Sequence, residues 1–504
     1  MGRRTAKRRA MPRSVRTPVA VMAALCTTGA LGVTAVLPGQ AAASPASAPS
    51  IAGRGPDASA GGRSGGGPAV GAGLPATWNG GPDPYDFAED ARTVEGADRI
   101  TGAARLAPGG TYRSSIAKGG KIYYRLDLDA RSNAYVSATA VPPAGTEVSS
   151  ADGVKVSVQE ADGSTCSTKT AHIGATQSPH PIAAAASREI GRTEYVCQEA
   201  GTYYAVVERS GPPTSSPDDW DLEITYTSEP QVPKSGATTA PQTWNSAPPD
   251  ALPGDAVRRS GGPGFSTAAP LGQGVWETRI EAGQTLFYKV PVDWGQQLYA
   301  TAELGSPDSG DRYVGTALVM SLYNPARGFV DDVGSGYGGS RRPAVLPALP
   351  PVEYDNRYGI SARTSGMRFA GGYYLALHLG GQVAEKFGDA PLELTLRVQV
   401  KGDAEDGPAY LGSAAPRDAF EVTDEDRAEA GAAAGNGPAG GGSGDSGTSG
   451  DTGSAGSGDP AMKVVAATGI GSGCALVLTL AVWTAVARRR GRPARAGSAR
   501  TPGH

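Results

Sequence analysis

Hydrophobic and polar residues alternate in a period of two along two separate stretches of the chain. In the first, Ile122, Tyr124, Leu126 and Leu128 alternate with Tyr123, Arg125 and Asp127. In the second, Leu286, Tyr288, Val290 and Val292 alternate with Phe287, Lys289 and Pro291. A period of two marks a strand with one face buried. The alternation resumes after a break, with Ala134, Val136 and Ala138 in the first stretch and Leu298, Ala300 and Ala302 in the second. Asp129 and Asp293 stand at the joints, where a turn is favoured. Asp162-Gly163, after Val154, Val156 and Val158, reads as a hairpin tip.

The two stretches belong to a longer internal repeat. Thr77-Trp78-Asn79 returns as Thr243-Trp244-Asn245, Ala200-Gly201-Thr202-Tyr203-Tyr204 as Ala370-Gly371-Gly372-Tyr373-Tyr374, and Leu222-Glu223-Ile224-Thr225 as Leu392-Glu393-Leu394-Thr395. The offset is 166 at the first pair, 164 through the opening strands and 170 at the last two pairs. Solenoid periods run about 20–50 residues, so this repeat is a duplicated domain. The expected fold is all-β: two tandem antiparallel β-sandwiches, at 76–230 and 263–402. Equivalent strands are predicted at 121–129 and 285–293, 200–208 and 370–378, and 221–227 and 391–397. Tyr124 and Tyr288 should fill the same buried site.

Several of these residues resemble the bacterial pre-peptidase C-terminal domain. They are Gly-Lys-Ile-Tyr-Tyr-Arg-Leu-Asp-Leu from 120, Ala-Asp-Gly from 161, Ala-Gly-Thr-Tyr-Tyr-Ala-Val-Val from 200 and Trp-Asp-Leu-Glu-Ile-Thr-Tyr from 220. The resemblance covers about 110–229 and 274–400, with long inserts at about 165–195 and 325–366. It implies small sandwich or jelly-roll modules on an exported protein, not an activity.

The ends of the chain carry different signals. Residues 1–43 have a basic head, an apolar run from Val19 to Leu37 and Ala41-Ala42-Ala43, the layout of a secretory signal peptide. Val464 to Ala487 is 24 residues without a charge, followed by six arginines between 488 and 500. That pattern predicts a membrane-spanning helix with a cytoplasmic tail at 488–504 and the remainder outside the cell. Residues 44–75 read as a disordered linker, 231–262 as a Pro-rich linker and 403–463 as an acidic and Gly/Ser-rich stalk.

Charge narrows the partners. Thirteen of the 46 basic residues lie in the head and tail, which hold no acids. The segment between keeps 33 basic against 49 acidic residues, a net charge of −16. An acidic exterior argues against nucleic acid as a partner.

Candidate chemistry is sparse. Cys166 and Cys197 are the only cysteines outside the signal peptide and the apolar run, which predicts a disulfide between them. The histidines are His172, His180, His378 and His504, and the repeat aligns His378 with Glu208. Asp127, Asp129 and Asn133 could ligate calcium, but their counterparts Pro291, Asp293 and Gln297 do not keep the set, so turn acids are the favoured reading. Gly444-Asp445-Ser446-Gly447 is similar to a protease serine motif but sits in the predicted stalk. No catalytic residue, metal or cofactor is assigned. Tyr123, Phe287 and Trp294 fall on outward strand faces or in turns. They could stack on sugars or anchor a protein, or simply cover neighbouring strands. The expected function is a membrane-anchored, outward-facing, non-catalytic binding or scaffold protein. Its partner would be a surface or secreted protein. A cell-wall glycan or other carbohydrate-binding module is the alternative, and an enzyme of unrecognised type a third.

Overall fold

Four five-stranded sheets, two in each copy of the repeat, build the protein in a computed structural model that describes residues 84–191, 196–233, 237–306 and 312–433. The predicted signal peptide, the predicted first linker, Thr77-Trp78-Asn79, the apolar run 464–487 and the basic tail lie outside the described residues.

The first copy runs through β1 (Arg92–Thr93), β2 (Ala104–Arg105), β3 (Thr111–Ile116), β4 (Lys121–Leu128), β5 (Asn133–Val141), β6 (Gly153–Glu160), β7 (Thr165–His172), β8 (Ile182–Arg188), β9 (Gly201–Ser210) and β10 (Trp220–Glu229). The second runs through β11 (Val257–Arg258), β12 (Ala269–Pro270), β13 (Gly274–Ile280), β14 (Thr285–Val292), β15 (Gln297–Leu304), β16 (Val314–Tyr323), β17 (Phe329–Tyr337), β18 (Ala344–Val345), β19 (Gly371–Leu379) and β20 (Leu392–Lys401).

Sheet orders are β1-β3-β10-β5-β8 and β2-β4-β9-β6-β7 in the first copy, and β11-β13-β20-β15-β18 and β12-β14-β19-β16-β17 in the second. Each strand of copy one is thus matched by the strand ten places later. The match holds in register. Ala104 pairs with Tyr124 as Ala269 pairs with Tyr288, and Lys121 pairs with Glu208 as Thr285 pairs with His378. An isolated bridge, Ala97 with Tyr123, returns as Gly262 with Phe287. Ladders are antiparallel except for β1, β2, β11 and β12, two-residue edge strands that pair in parallel with the strand beside them.

The alternation in the sequence sorts side chains as expected. Tyr124, Leu126, Val136, Ala138, Leu222 and Ile224 fill the core of copy one. Tyr288, Val290, Leu298, Ala302, Leu394 and Leu396 fill that of copy two. Tyr124 and Tyr288 are 0% and 1% exposed. The Tyr124 hydroxyl bonds Ser114 Oγ at 2.8 Å, and that of Tyr288 donates to the Arg259 carbonyl at 3.3 Å. The hairpin tip also forms: Gly163 takes a φ of +92°, which a side chain would resist, and Ser164 N donates to Asp162 Oδ1 at 2.9 Å.

Three expectations change. The inserts at 165–195 and 325–366 are not excursions from the repeat, since they supply the matched pairs β7, β8 and β17, β18. The connector 231–262 does not hang free where it is described. Gln297 Nε2 and Gln399 Nε2 donate to the carbonyls of Asn245 and Asp250, at 3.0 and 2.9 Å. The predicted stalk begins too early. Residues 403–433 lie on the sandwiches through Glu405 N to the Trp294 carbonyl, Leu411 N to the Gln231 carbonyl, a bridge between Ser228 and Ala415, and buried Phe420. They end in helix α3 (Asp424–Ala433), after two short helices, α1 (Ala362–Ser365) and α2 (Gln382–Phe387). Backbone groups that need partners, and a few apolar side chains, hold a segment whose composition reads as polar.

Candidate binding surfaces and the junction between the copies

The outer face of β1-β3-β10-β5-β8 packs on the outer face of β12-β14-β19-β16-β17, so each copy contributes a different sheet. One apolar cluster joins Ala183 of copy one to Phe265, Phe287, Tyr323 and Ala376 of copy two. Another joins Tyr135 to Ala326, Phe369 and Phe420.

Three carboxylates of copy one meet three guanidinium groups of copy two across this junction. Glu223, fully buried, pairs with Arg327 and accepts from Ala88 N at 3.1 Å. Glu229, also fully buried, accepts from Arg357 at 2.6 Å, Asn133 Nδ2 at 2.6 Å, and the hydroxyls of Tyr135 and Tyr410 at 2.8 and 3.0 Å. Arg368 reaches Glu189 at 2.5 Å and Tyr135 Oη at 2.7 Å. Burial opposes the charge on Glu229. Arg357, Arg368 and the Asn133 amide outweigh it and hold the carboxyl below its ordinary range. Glu189 is likewise held low, burial being outweighed by Arg368 and Arg357. A buried charge is tolerable only when its lone pairs are met in this way.

A histidine pair lies at another part of the junction. His180 of copy one stacks on His378 of copy two with ring centroids 4.2 Å apart. His180 Nδ1 lies 2.8 Å from the Ser178 carbonyl. His378 Nδ1 lies 3.2 Å from the Gln284 carbonyl, and His378 Nε2 lies 2.6 Å from Ser178 Oγ. One tautomer satisfies all three contacts: each Nδ1 donates, and His378 Nε2 accepts from the serine. Burial lowers the pKa of both rings, and for His378 the neighbouring His180 lowers it further. A serine on a histidine is the start of a nucleophile–base arrangement. Here Nδ1 faces a carbonyl and Thr285 Oγ1 rather than a carboxylate, and Ser178 is 5% exposed. The contact serves to satisfy buried polar atoms.

The sequence-predicted site residues separate. Phe287 points away from its own core, as the alternation requires, but is 1% exposed because Tyr85, Phe265 and copy one cover it. That corrects the expectation of an open ring. Tyr123, its counterpart, is half-buried, with Lys121 Nζ 5.5 Å from its ring centroid. Trp294 is 8% exposed, another correction to an outward ring. It lines a cleft of about 530 Å³ between the β14–β15 turn, the loop at 352–355 and the segment 405–409. Glu353, Tyr354, Asp355, Glu405 and Asp406 line the same cleft. Cys166 of β7 and Cys197, in the loop before β9, are bonded, with Cα atoms 5.7 Å apart, as the sequence predicted.

The calcium trio is not assembled. Asp127 pairs with Arg105 and Arg125, both at 2.8 Å. Asp129 accepts from Arg131 N and Ser132 N, and Asn133 serves Glu229 and Ile190 N. Among the described residues, no group of three or more His, Cys, Asp or Glu side chains is placed to hold a metal. Sequence reasoning missed the junction residues Glu189, Glu223, Glu229, Arg327, Arg357 and Arg368. The one available signal was Glu223 and Glu229 on β10, whose partner strand β5 carries no charged residue.

No protein-family model matches the chain, and no curated protein does. Among solved structures, the chain is similar to the CBM22-1–CBM22-2 tandem domain of Xyn10C from Paenibacillus barcinonensis, at 9% identity, 59% of this chain, 93% of that chain and a TM-score of 0.16. It is also similar to the CUB1-EGF-CUB2 domain of human MASP-1/3, at 7% identity, 57% of this chain, 99% of that chain and a TM-score of 0.15. The architecture given above rests on strand pairing, not on these likenesses.

Proposed function

We propose that this chain is a membrane-anchored, outward-facing, non-catalytic binding or scaffold protein whose two sandwiches act as one rigid head. The observation that carries this is the junction. Two domains on a flexible connector would expose four outer sheet faces and move independently. Here one outer face of each copy is spent on the other, with three ion pairs, two of them on fully buried carboxylates, fixing the alignment. A body built this way presents its remaining faces at fixed spacing, which suits recognition or scaffolding better than turnover. The anchor is supported by the uncharged run 464–487 and the arginines after it. Export is supported by the disulfide and by the resemblance to pre-peptidase C-terminal modules.

A glycan platform would need rings in a row. The exposed aromatic rings among the described residues, Tyr313 and Phe329, stand at opposite ends of the β16–β17 ladder. That places them about 30 Å apart at ~3.3 Å per residue. A protein partner is therefore the favoured reading.

The test combines topology with capture in intact cells. External protease should release the head, while a tag placed after Arg500 stays protected. Photo-crosslinkers at exposed positions of the head should give discrete adducts with surface or secreted proteins. Digestion of the tag, or hydrolytic turnover by the purified chain, would overturn the reading.

A further inference from the structure

We propose that a cavity of about 450 Å³ in the seam between the two copies is a binding site for a single sugar ring. This goes beyond the binding role argued above and does not depend on it. A row of aromatic rings is not required, because the site takes one sugar unit rather than a stretch of polymer.

Both copies build the cavity. Its floor is the outer face of β16, β17 and β19. There His378, Val319 and Gly334 form one row across the sheet, and Ala376, Ser321 and Asp332 form the next. Its roof is copy one: the end of β7, the turn Gly174–Thr176 and the start of β8. Ala183 of β8 clusters with Tyr323 and Ala376 and closes one side. The volume lies within the ~300–1,000 Å³ usual for small-molecule sites.

Three observations point to a ligand. First, polar groups in the cavity are unspent. Asp331 is held by Arg363 at 2.9 Å, but Asp332, on the cavity side of the strand, has no hydrogen bond or ion pair among the described residues. His180 also lines the cavity, and its Nδ1 donates to the Ser178 carbonyl at 2.8 Å, so Nε2 keeps an accepting lone pair. Second, the Phe329 ring lines the cavity yet is 42% exposed. Tyr323 holds it edge-on, with ring centroids 6.1 Å apart. Third, Gly334 interrupts the floor. Its φ is not left-handed, and a Cβ there would meet Thr316 Cγ2 at an ordinary 3.5 Å. Neither strain nor crowding requires glycine, which weakens a strand interior and often marks a close approach by a ligand.

The chemistry selects the ligand class. A sugar ring has C–H groups on its face and hydroxyl donors around its rim. The face suits Phe329. The rim suits the Asp332 carboxylate, the His180 lone pair and the Thr316 and Ser321 hydroxyls. An apolar chain would cover Asp332 and leave its carboxylate with neither water nor a partner. A metal ion is disfavoured because the His180 and His378 rings are stacked, 22° from parallel, so their nitrogens do not converge on one point.

The experiment is saturation-transfer NMR on the full-length protein, in a detergent without a sugar headgroup. The probes are glucose, galactose, mannose and N-acetylglucosamine, their methyl glycosides, cyclohexanemethanol and zinc chloride. The expected result is saturable transfer to at least one sugar, with binding weakened about tenfold or more in Asp332→Asn. Phe329→Ala should weaken it several-fold, and Gly334→Val, which fills the floor, should abolish it. Glu277→Gln, on the far sheet of copy two, should leave it unchanged. Binding of the methyl glycosides would support a glycan chain end as the source, and binding of the free sugars alone a soluble sugar. No saturable transfer from any of these sugars would overturn the site. So would equal loss in Glu277→Gln, cyclohexanemethanol binding as tightly as the sugars, or displacement of the sugar by zinc. Asp332→Asn and Phe329→Ala alter partly solvent-facing side chains, and melting curves that superpose on the parent's exclude unfolding as the cause. Crosslinks to surface or secreted proteins stand or fall separately from all of these outcomes.

Discussion

The two copies share every strand and differ in what lies outside them. On the outer face of β4 and β9, copy one carries Lys121, Tyr123 and Glu208, with Lys155 and Lys121 within salt-bridge reach of Glu208. The same positions in copy two are Thr285, Phe287 and His378, of which Phe287 and His378 are buried against copy one. On the paired sheet the pattern inverts. Glu229 of β10 is buried under Arg357, while its counterpart Gln399 of β20 holds only a carbonyl of the connector. Duplication therefore preserved the inner faces, which each sandwich needs for its own core. It left one outer face per copy free to become half of a junction. The faces used are not equivalent, so the contact is head to tail rather than two-fold symmetric.

The sharpest way to break this comparison is to remove a junction charge and its counterpart. Glu229→Ala leaves Arg357 buried without a partner and should cost about 3–5 kcal/mol. Gln399→Ala gives up one hydrogen bond and should cost about 1 kcal/mol. Urea unfolding of both variants measures the contrast, and equal costs would mean that the junction adds nothing to stability.

Reduction of the disulfide should come next. Cys166 and Cys197 are 31 residues apart, and a loop of that length contributes roughly 3–4 kcal/mol in the chain-entropy account. Copy two has no cysteine. Hydrogen exchange should therefore show lost protection in β7 and β9 while β17 and β19 keep theirs.

A smaller contrast is expected at Phe287 and Tyr123. Phe287→Ala opens a cavity at the junction and should cost about 3 kcal/mol, near the low end for large aromatic truncations. Tyr123→Ala, half-buried and solvent-facing, should cost about 1 kcal/mol. Similar values for the two would mean that the covering loops contribute little.

The mildest effect should be acid sensitivity. His180 and His378 have folded pKa values below the ordinary histidine value of about 6.5, so the unfolded chain binds protons that the folded chain refuses. Their contribution is complete above about pH 6.5 and is lost as pH falls from there through the folded values. Glu189 and Glu229, also depressed, add a second loss below about pH 4.3. His378→Gln should flatten the first window and leave the second. A parent protein with constant stability from pH 7 to 5 would remove the histidine pair from this account.

Much of the fold was legible because strands with one wet face write their period into the sequence. The matched pairs β4 and β14, and β9 and β19, were placed to within a residue or two, as was β10, while β20 runs four residues beyond its predicted end; the buried site shared by Tyr124 and Tyr288 was also legible. β7 and β17 were not. Thr165–His172 is polar except for Cys166 and Ala171, and Phe329–Tyr337 holds two glycines and two aspartates, so their pairing comes from the neighbouring strands rather than from their own pattern. The order of 403–423 was hidden for a related reason. Apart from Tyr410 and Phe420, its anchors are backbone hydrogen bonds, which any residue except proline can donate.

The sequence by itself determined the duplication, the period-two strands, the core side of each strand and the only cysteine pair available outside the apolar ends. These follow from local rules, since a side chain alternates with its neighbours whatever lies across the sheet. Only the tertiary structure decided which outward faces stay wet. Phe287 and Tyr123 have the same local pattern, and Glu229 reads as a surface acid until Arg357 arrives from 128 residues away. Burial of an outward face depends on the shape and charge of a partner surface distant in the chain, and no periodicity within a strand encodes that.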